Sequence, residues 1–432
     1  MTRKFECIVI GAGPAGLAAA LVLARAGVEV LVLERGEYPG SKNMFGGALY
    51  SRGLAELLPG FWEEAPLERP VTRWGVSFLN RTSSCSLDYK STEYSQAPYN
   101  AFTVLRSRFD RWFAQKVEAA GAVLLTSATA EDFLMEGDRV AGVRVSRPDG
   151  ELRADVVIAA DGLNSIALRR GTLRNDRAPG EVSLGVKEII ALPKEAVERA
   201  FSLAPGEGAA YTYVGESTQG IPGGGFIYTN RDSISIGLVV KLSALSKQEK
   251  RPEVLLEAFK HHPLIWPLIK DGESREYLGH LIPEYHGART PKLFRSGLLA
   301  VGDAVGFTLH TGFRVEGVNL GIASGVAAAE AVLAARQHKD YSARGLACYP
   351  QMLRKHGVLA DMEKFKHAPK LFGNPRMYTT YPEMACNLAN SIFSVDPGPK
   401  KGLMEMVQQV RRGKVGWKEL AKDAYAGWRG LS

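Results

Sequence analysis

Phe5-Glu6-Cys7-Ile8-Val9-Ile10-Gly11-Ala12-Gly13-Pro14-Ala15-Gly16 decides the reading of this chain. A short apolar run enters a glycine turn, and Leu17, Ala20, Leu21 and Ala24 then recur at helical spacing, with Gly27 as a C-terminal stop. A second apolar run, Val28–Leu33, ends at Glu34-Arg35. Both runs predict parallel strands buried on two faces. Strand, glycine turn, helix and strand make the first unit of a dinucleotide-binding fold. Gly11 admits the tight turn, Gly13 lets backbone approach a pyrophosphate, and Gly16 lets the helix pack on the strand. The helix opening at Pro14 and Ala15 offers N–H groups and a positive dipole end to phosphates. Glu34 closes the second strand, where a carboxylate accepts the hydroxyls of an adenosine ribose, and Arg35 stands beside it.

The whole chain has 432 residues, room for two or three lobes, with 45% hydrophobic and 23% charged residues. Met-Thr-Arg-Lys runs straight into the first strand, so no signal peptide is expected. No run of about 18 apolar residues is read, so no membrane span is expected, and cytoplasmic residence is. Cys7, Cys85, Cys348 and Cys386 are scattered and the eight histidines form no ligand pattern, so no metal is expected. The net charge is +8, and Lys400, Lys401, Arg411, Arg412, Lys414, Lys418, Lys422 and Arg429 crowd the C-terminal end. That end reads either as a solvated helical tail or as a surface for an acidic partner or anionic lipid. No motif supports nucleic acid.

Outward from the first unit, the glycines from Gly36 through Gly46 and Gly47 mark a loop to Tyr50, where backbone can come close to a flat ring. Arg106 stands just before a helix running to about Ala120, where it can pair with a cofactor phosphate or ribityl oxygen. Short strands at Val123–Leu125, Phe133–Glu136 and Val140–Ser146, with the turn Pro148-Asp-Gly150 leading to Glu151–Ala154, read as an antiparallel meander. Val156–Ala160 is a buried strand ending at Asp161-Gly162, at the mouth where α/β sheets hold ligands. Residues 181–279 change character to antiparallel strands, with a helix over Pro252–Leu268 broken at His262-Pro263. Gly297–Val301 resumes the first fold and runs into Gly302-Asp303-Ala304-Val305-Gly306. Asp303 suits a ribityl hydroxyl, and Gly312 and Gly317-Val318-Asn319 lead into a small-residue helix whose N-terminus favours negative charge at a flavin's pyrimidine edge. The end of the chain is helical, and Phe365, Leu371, Phe372, Met377, Tyr378 and Tyr381 read as core packing or as a membrane-facing patch.

The glycine turn with Glu34-Arg35, Ala160-Asp161-Gly162 and Gly302–Gly306 together resemble the glutathione-reductase-type FAD flavoproteins. Gly40-Ser-Lys-Asn-Met-Phe-Gly-Gly47 and Thr311-Gly-Phe-Arg-Val-Glu-Gly-Val-Asn-Leu-Gly321 are similar to the FixC family, in the branch of electron-transfer-flavoprotein:quinone oxidoreductases and geranylgeranyl reductases. The resemblance covers essentially the whole chain. It implies an α/β (α+β) fold: a Rossmann FAD-binding part over 1–75, 106–175 and 291–345, an antiparallel quinone lobe over 76–105 and 176–290, and a helical end over 346–432. It implies FAD as cofactor, and partners of the FixABCX electron-bifurcation kind: an electron-transfer flavoprotein (FixA/FixB), a separate ferredoxin (FixX), a quinone and the inner face of the cell membrane. Single-chain relatives end in a cluster-binding part with cysteine ligands, which this sequence lacks. Ile282-Pro-Glu284-Tyr285-His286-Gly287 is similar in position to the relatives' quinone-side strand. No catalytic acid or base is expected. The other readings are a reductase of isoprenoid double bonds, an aromatic hydroxylase and a non-catalytic FAD scaffold.

Overall fold

The structure is a computed structural model, and it describes residues 4–42, 47–147, 150–165, 179–284, 292–311, 314–395 and 397–431. The buried run Lys4–Ile10 lies at the centre of an eight-stranded sheet. On one side it pairs in parallel with Val30–Leu33, and that strand with Val123–Leu125. On the other it pairs in parallel with Glu151–Ala159, and that strand with Leu298–Ala300. The chain therefore reverses its direction of winding between Lys4–Ile10 and Glu151–Ala159, and the crevice at their carboxyl ends is where such sheets bind ligands. Val123–Leu125, expected in the meander, is instead the edge of this parallel ladder. The meander proper is Ala130–Glu136 and Arg139–Val145, the latter antiparallel to the start of Glu151–Ala159. The two expected pieces at 151–154 and 156–160 are one strand shared by both pairings.

The helix Pro14–Arg25 packs along Val318–His338, and the two share one core with the parallel sheet. Val318–His338 is the one described helix long and apolar enough to cross a membrane, although no such run was read from the sequence. Alanine and glycine give it that character, and 61% of its most apolar window is buried inside the fold, as in a core helix. Tyr349–Lys355 and Val358–Lys364 extend the same core, with the Tyr349 hydroxyl donating to the Ala300 carbonyl at 2.8 Å.

The second sheet has nine strands, in the order Glu273–Pro283, Val182–Ala191, Ser233–Lys241, Gly223–Thr229, Gly208–Gly215, Leu67–Leu79, Ala101–Val104 and Gly47–Tyr50, with Ser84–Lys90 also on Leu67–Leu79. Gly47–Tyr50 was read as loop; it pairs with Ala101–Val104. Leu67–Leu79 is one strand running straight through residues 75 and 76, and its pairing with Gly208–Gly215 is parallel, which stitches the early segment to the later one. Val186, Ile190, Ile236 and Leu238 bury one face against Leu255, Leu256 and Phe259, the apolar stripe of Pro252–Lys260. Each such side chain contributes about 1.5–3 kcal/mol.

Arg69 locks that stitch. Only 1% exposed, its guanidinium donates to the carbonyls of Asn230, Arg231 and Glu207 and to Glu198 Oε1 at 2.9 Å. In the C-terminal region, Trp417–Leu431 packs on Ala368–Phe372. Arg376 and the Tyr381 hydroxyl both donate to Asp423 on that last helix. Removing Arg69 strands a buried carboxylate and three carbonyls, so Arg69→Met is expected to destabilise by about 3–5 kcal/mol, seen as a lowered thermal midpoint.

Candidate flavin site

Gly11 lies at the end of the first strand with φ +102°, and any Cβ there would collide with the carbonyl of Ala160. The ends of Lys4–Ile10 and Glu151–Ala159 thus approach as closely as backbone allows, at the crevice between them. Gly16 meets the Gly11 carbonyl in the same way, which seats the helix on the turn. Gly13, between them, has open space in front of it, and no side chain caps the helix it starts. Pro14 at the first turn gives up no needed donor. The result is an uncapped helix N-terminus at an open glycine turn, the donor set that a pyrophosphate takes.

Glu34 stands beside this cradle, and its carboxylate accepts from the backbone N–H of Ala12 at 3.0 Å and of Gly36 at 2.7 Å. It therefore splints the glycine turn, and each oxygen keeps a lone pair for a ribose hydroxyl. Arg35 is exposed next to it. Across the crevice, Asp161 and Gly162 follow the Ala159 strand end, with Gly162 at φ +71°.

The third wall comes from Gly302, at φ +60° in a tight turn with Asp303 and Ala304. Its N–H donates to Ser324 Oγ at 3.0 Å, and Ser324 Oγ donates to the Gly321 carbonyl at 2.8 Å, tying the turn to Val318–His338. Ala15 meets Gly302, Gly321 and Gly325 here, and a Cβ on Gly325 would strike the Ala15 carbonyl. The Thr308 hydroxyl approaches Asp303 Oδ1 at 3.5 Å. Gly317 starts the long helix without a side-chain cap, and with Val318 and Asn319 it presents a second open N-terminus. The Asn319 amide is turned aside to Glu316 Oε2, at 2.6 Å.

Arg106, expected to reach the cofactor, is the first residue of Arg106–Ala119 and is buried. Its Nε and Nη2 donate to both oxygens of Asp110 one turn on, each at 2.7 Å. The pair is satisfied largely within its own helix, while its charge still acts on Asp303. Gly47 sits in the strand opposite Val104. Gly46, Gly312 and Tyr285-His286-Gly287 lie outside the described residues. The backbone cradle, the carboxylates of Glu34, Asp161 and Asp303, and the two open helix ends fit an FAD. Ser324 and Gly325 escaped the sequence reading, although their place in a small-residue helix was visible.

Between the second sheet and the loop after Glu34-Arg35 lies a cavity of about 200 Å³ lined by Ser41, Lys42, Gly185, Lys187, Leu278, Gly279 and His280. Burial, with the charges of Arg106 and Arg35, holds the His280 imidazole down to about 4, so it is neutral near pH 7. No described group of three or more His, Cys, Asp or Glu is placed to hold a metal ion.

Residues 4–182 match the FAD binding domain family, and residues 368–431 match the ETF-QO/FixC family C-terminal domain. Over 98% of both chains the sequence is 42% identical to the probable electron transfer flavoprotein-quinone oxidoreductase YdiS of Escherichia coli (strain K12). Protein FixC of Azorhizobium caulinodans is 40% identical over 92% of each chain. A solved structure, a geranylgeranyl bacteriochlorophyll reductase-like protein from Thermoplasma acidophilum, is similar with a TM-score of 0.73 at 20% identity, covering 98% of this chain and 99% of that one. That likeness is one of fold.

Two substitutions separate cradle from scaffold. Asp303→Ala is expected to lower the flavin-to-protein absorbance ratio after gel filtration while leaving the circular dichroism unchanged. Gly325→Ala overpacks the helix crossing and is expected to cost about 1–3 kcal/mol in thermal or denaturant unfolding, with flavin lost alongside.

Proposed function

Because the chain belongs to the ETF-QO/FixC family and is an FAD-binding oxidoreductase, we propose that it passes electrons from a partner electron-transfer flavoprotein, with a separate small ferredoxin, to a membrane quinone. The observation that supports this reading is a cavity bounded by Gly185, Lys187, Leu278 and His280 of the second sheet and by Ser41 and Lys42 of the loop that follows Glu34-Arg35. Its volume of about 200 Å³ is below the roughly 300–1,000 Å³ of drug-sized sites, and suits a single ring. Bound FAD supplies reversible two-electron chemistry. The chain's own residues hold and tune it: Gly11, Gly13, Pro14, Ala15 and Gly16 take pyrophosphate, and Glu34 and Arg35 take adenosine. Asp161, Gly162, Gly302 and Asp303 fix the other side, and the helix end at Gly317, Val318 and Asn319 favours negative charge on the reduced ring.

Attachment to a membrane surface belongs to the same proposal. Leu371 and Tyr378, from the patch read as core or membrane-facing, are buried, and Phe365, Phe372, Met377 and Tyr381 are half-buried. The apolar side chains left in water are others: Phe393 at 83% and Val395 at 82% exposure, with Leu403 and Met404 nearby in sequence and Trp428 on the last helix. Lys400 and Lys401 lie between the two pairs. Apolar tips beside lysines match the boundary of an anionic bilayer, where greasy side chains enter and cations stay with headgroups.

The functional test is anaerobic. Flavin bleached by the reduced partner proteins, not by NADH or NADPH, and recoloured by a short-chain quinone is the expected result; rapid bleaching by free nicotinamide would overturn it. For attachment, Phe393→Asp with Val395→Asp is expected to weaken sedimentation with anionic liposomes at least tenfold, and salt to weaken that of the parent protein.

A further inference from the structure

Strand alternation places a second set of groups along the cavity between the second sheet and the loop after Glu34-Arg35. In Val182–Ala191, Val186 and Ile190 face the core under Pro252–Lys260, so Gly185, Lys187 and Ile189 face the other way. Their partners on Glu273–Pro283 are His280, Leu278 and Glu276. Gly185, Lys187, Leu278 and His280 all line the cavity, and Glu276 lies one pair further along the same face. Lys187 is 1% exposed, a lysine inside a sheet whose pairing does not require one. Glu273–Pro283 is the edge strand, Glu276 is half-buried on it, and its Oε1 is buried with no hydrogen-bond partner among the described residues.

We propose that Lys187 is the proton donor to the electron acceptor bound in this cavity, and that Glu276 relays its replacement proton from solvent. This rests on the quinone reading above. Reducing a quinone to a quinol takes two electrons and two protons. Two electrons and one proton arrive with the fully reduced cofactor. The second proton leaves Lys187 Nζ, where an N–H bond breaks, and forms an O–H bond on a quinone oxygen. The neutral amine is recharged through Glu276.

The surroundings suit the task. Burial pushes the Lys187 ammonium down to about 8, with Glu276 pulling the other way and Arg106 adding to the fall. A donor near the working pH transfers most effectively. The other titratable groups are His280 and Lys42 on the cavity wall, the Arg106–Asp110 pair and Arg35, whose charges reach His280 or Lys187, and Tyr228 two strands away in the sheet. His280 is neutral and Arg106 stays charged across the range, so an inflection near pH 8 belongs to Lys187. The ammonium is the active form, so quinone reduction falls as pH rises through about 8.

The test compares the FAD-loaded protein with Lys187→Met and Glu276→Gln, using ubiquinone-1 and, as an acceptor that takes electrons without protons, ferricyanide. Lys187→Met is expected to keep its flavin and its ferricyanide rate, to lose about 100-fold with ubiquinone-1, and to show no inflection near pH 8. Glu276→Gln is expected to shift that inflection to lower pH. Independent of turnover, calorimetric binding of a hydroxyquinoline N-oxide to the oxidised protein is expected to weaken about tenfold in Lys187→Met. A Lys187→Met protein with the parent's ubiquinone rate, pH profile and affinity would overturn the assignment. A parent protein that reduces ferricyanide but no quinone would overturn the quinone reading and this assignment with it.

Discussion

Ala15 stands where three pieces of backbone come as close as atoms permit: the first glycine turn, the turn at Gly302 and the long helix at Gly321 and Gly325. A larger residue at any of these points would push helix from helix or helix from sheet. That close approach is what brings Glu34, Asp161 and Asp303, from three distant parts of the chain, around one crevice. The helices that start at Pro14 and Val318 carry no side-chain cap, which leaves their first N–H groups open at that crevice.

Around that point the two sheets divide the labour. The parallel sheet is buried on both faces and presents only strand ends, so its contribution is backbone N–H groups and acids at loop positions. The second sheet presents a face, so it can place side chains in rows along the cavity it shares with Ser41 and Lys42. Its own stability comes from the apolar face under Pro252–Lys260 and from Arg69, which lets the other face carry Lys187, Glu276 and His280. Polar groups on that side are tolerated because the core on the opposite side bears the folding load.

Much of this was legible in the residues. The glycine spacing with a second strand ending in an acid, and Asp303 at a strand mouth, marked the crevice because backbone chemistry there demands particular residue types. The strand pairings were less legible. Val123–Leu125 reads the same in a meander or a parallel edge, since a three-residue apolar strand carries no sign of its partner. Arg106 looked like a cofactor ligand because nothing local announces that Asp110, one turn on, will hold it on both oxygens.

By itself, then, the sequence determined the nucleotide-binding unit, its order along the chain and its cofactor class, because those depend on local backbone requirements written as glycines and acids. Only the tertiary structure decided which apolar side chains stay in water, which helix is core despite its length and hydropathy, and that Lys187 and Glu276 share a face of the second sheet. These depend on long-range register and burial, and a one-residue shift in pairing would send the same side chains to the opposite face.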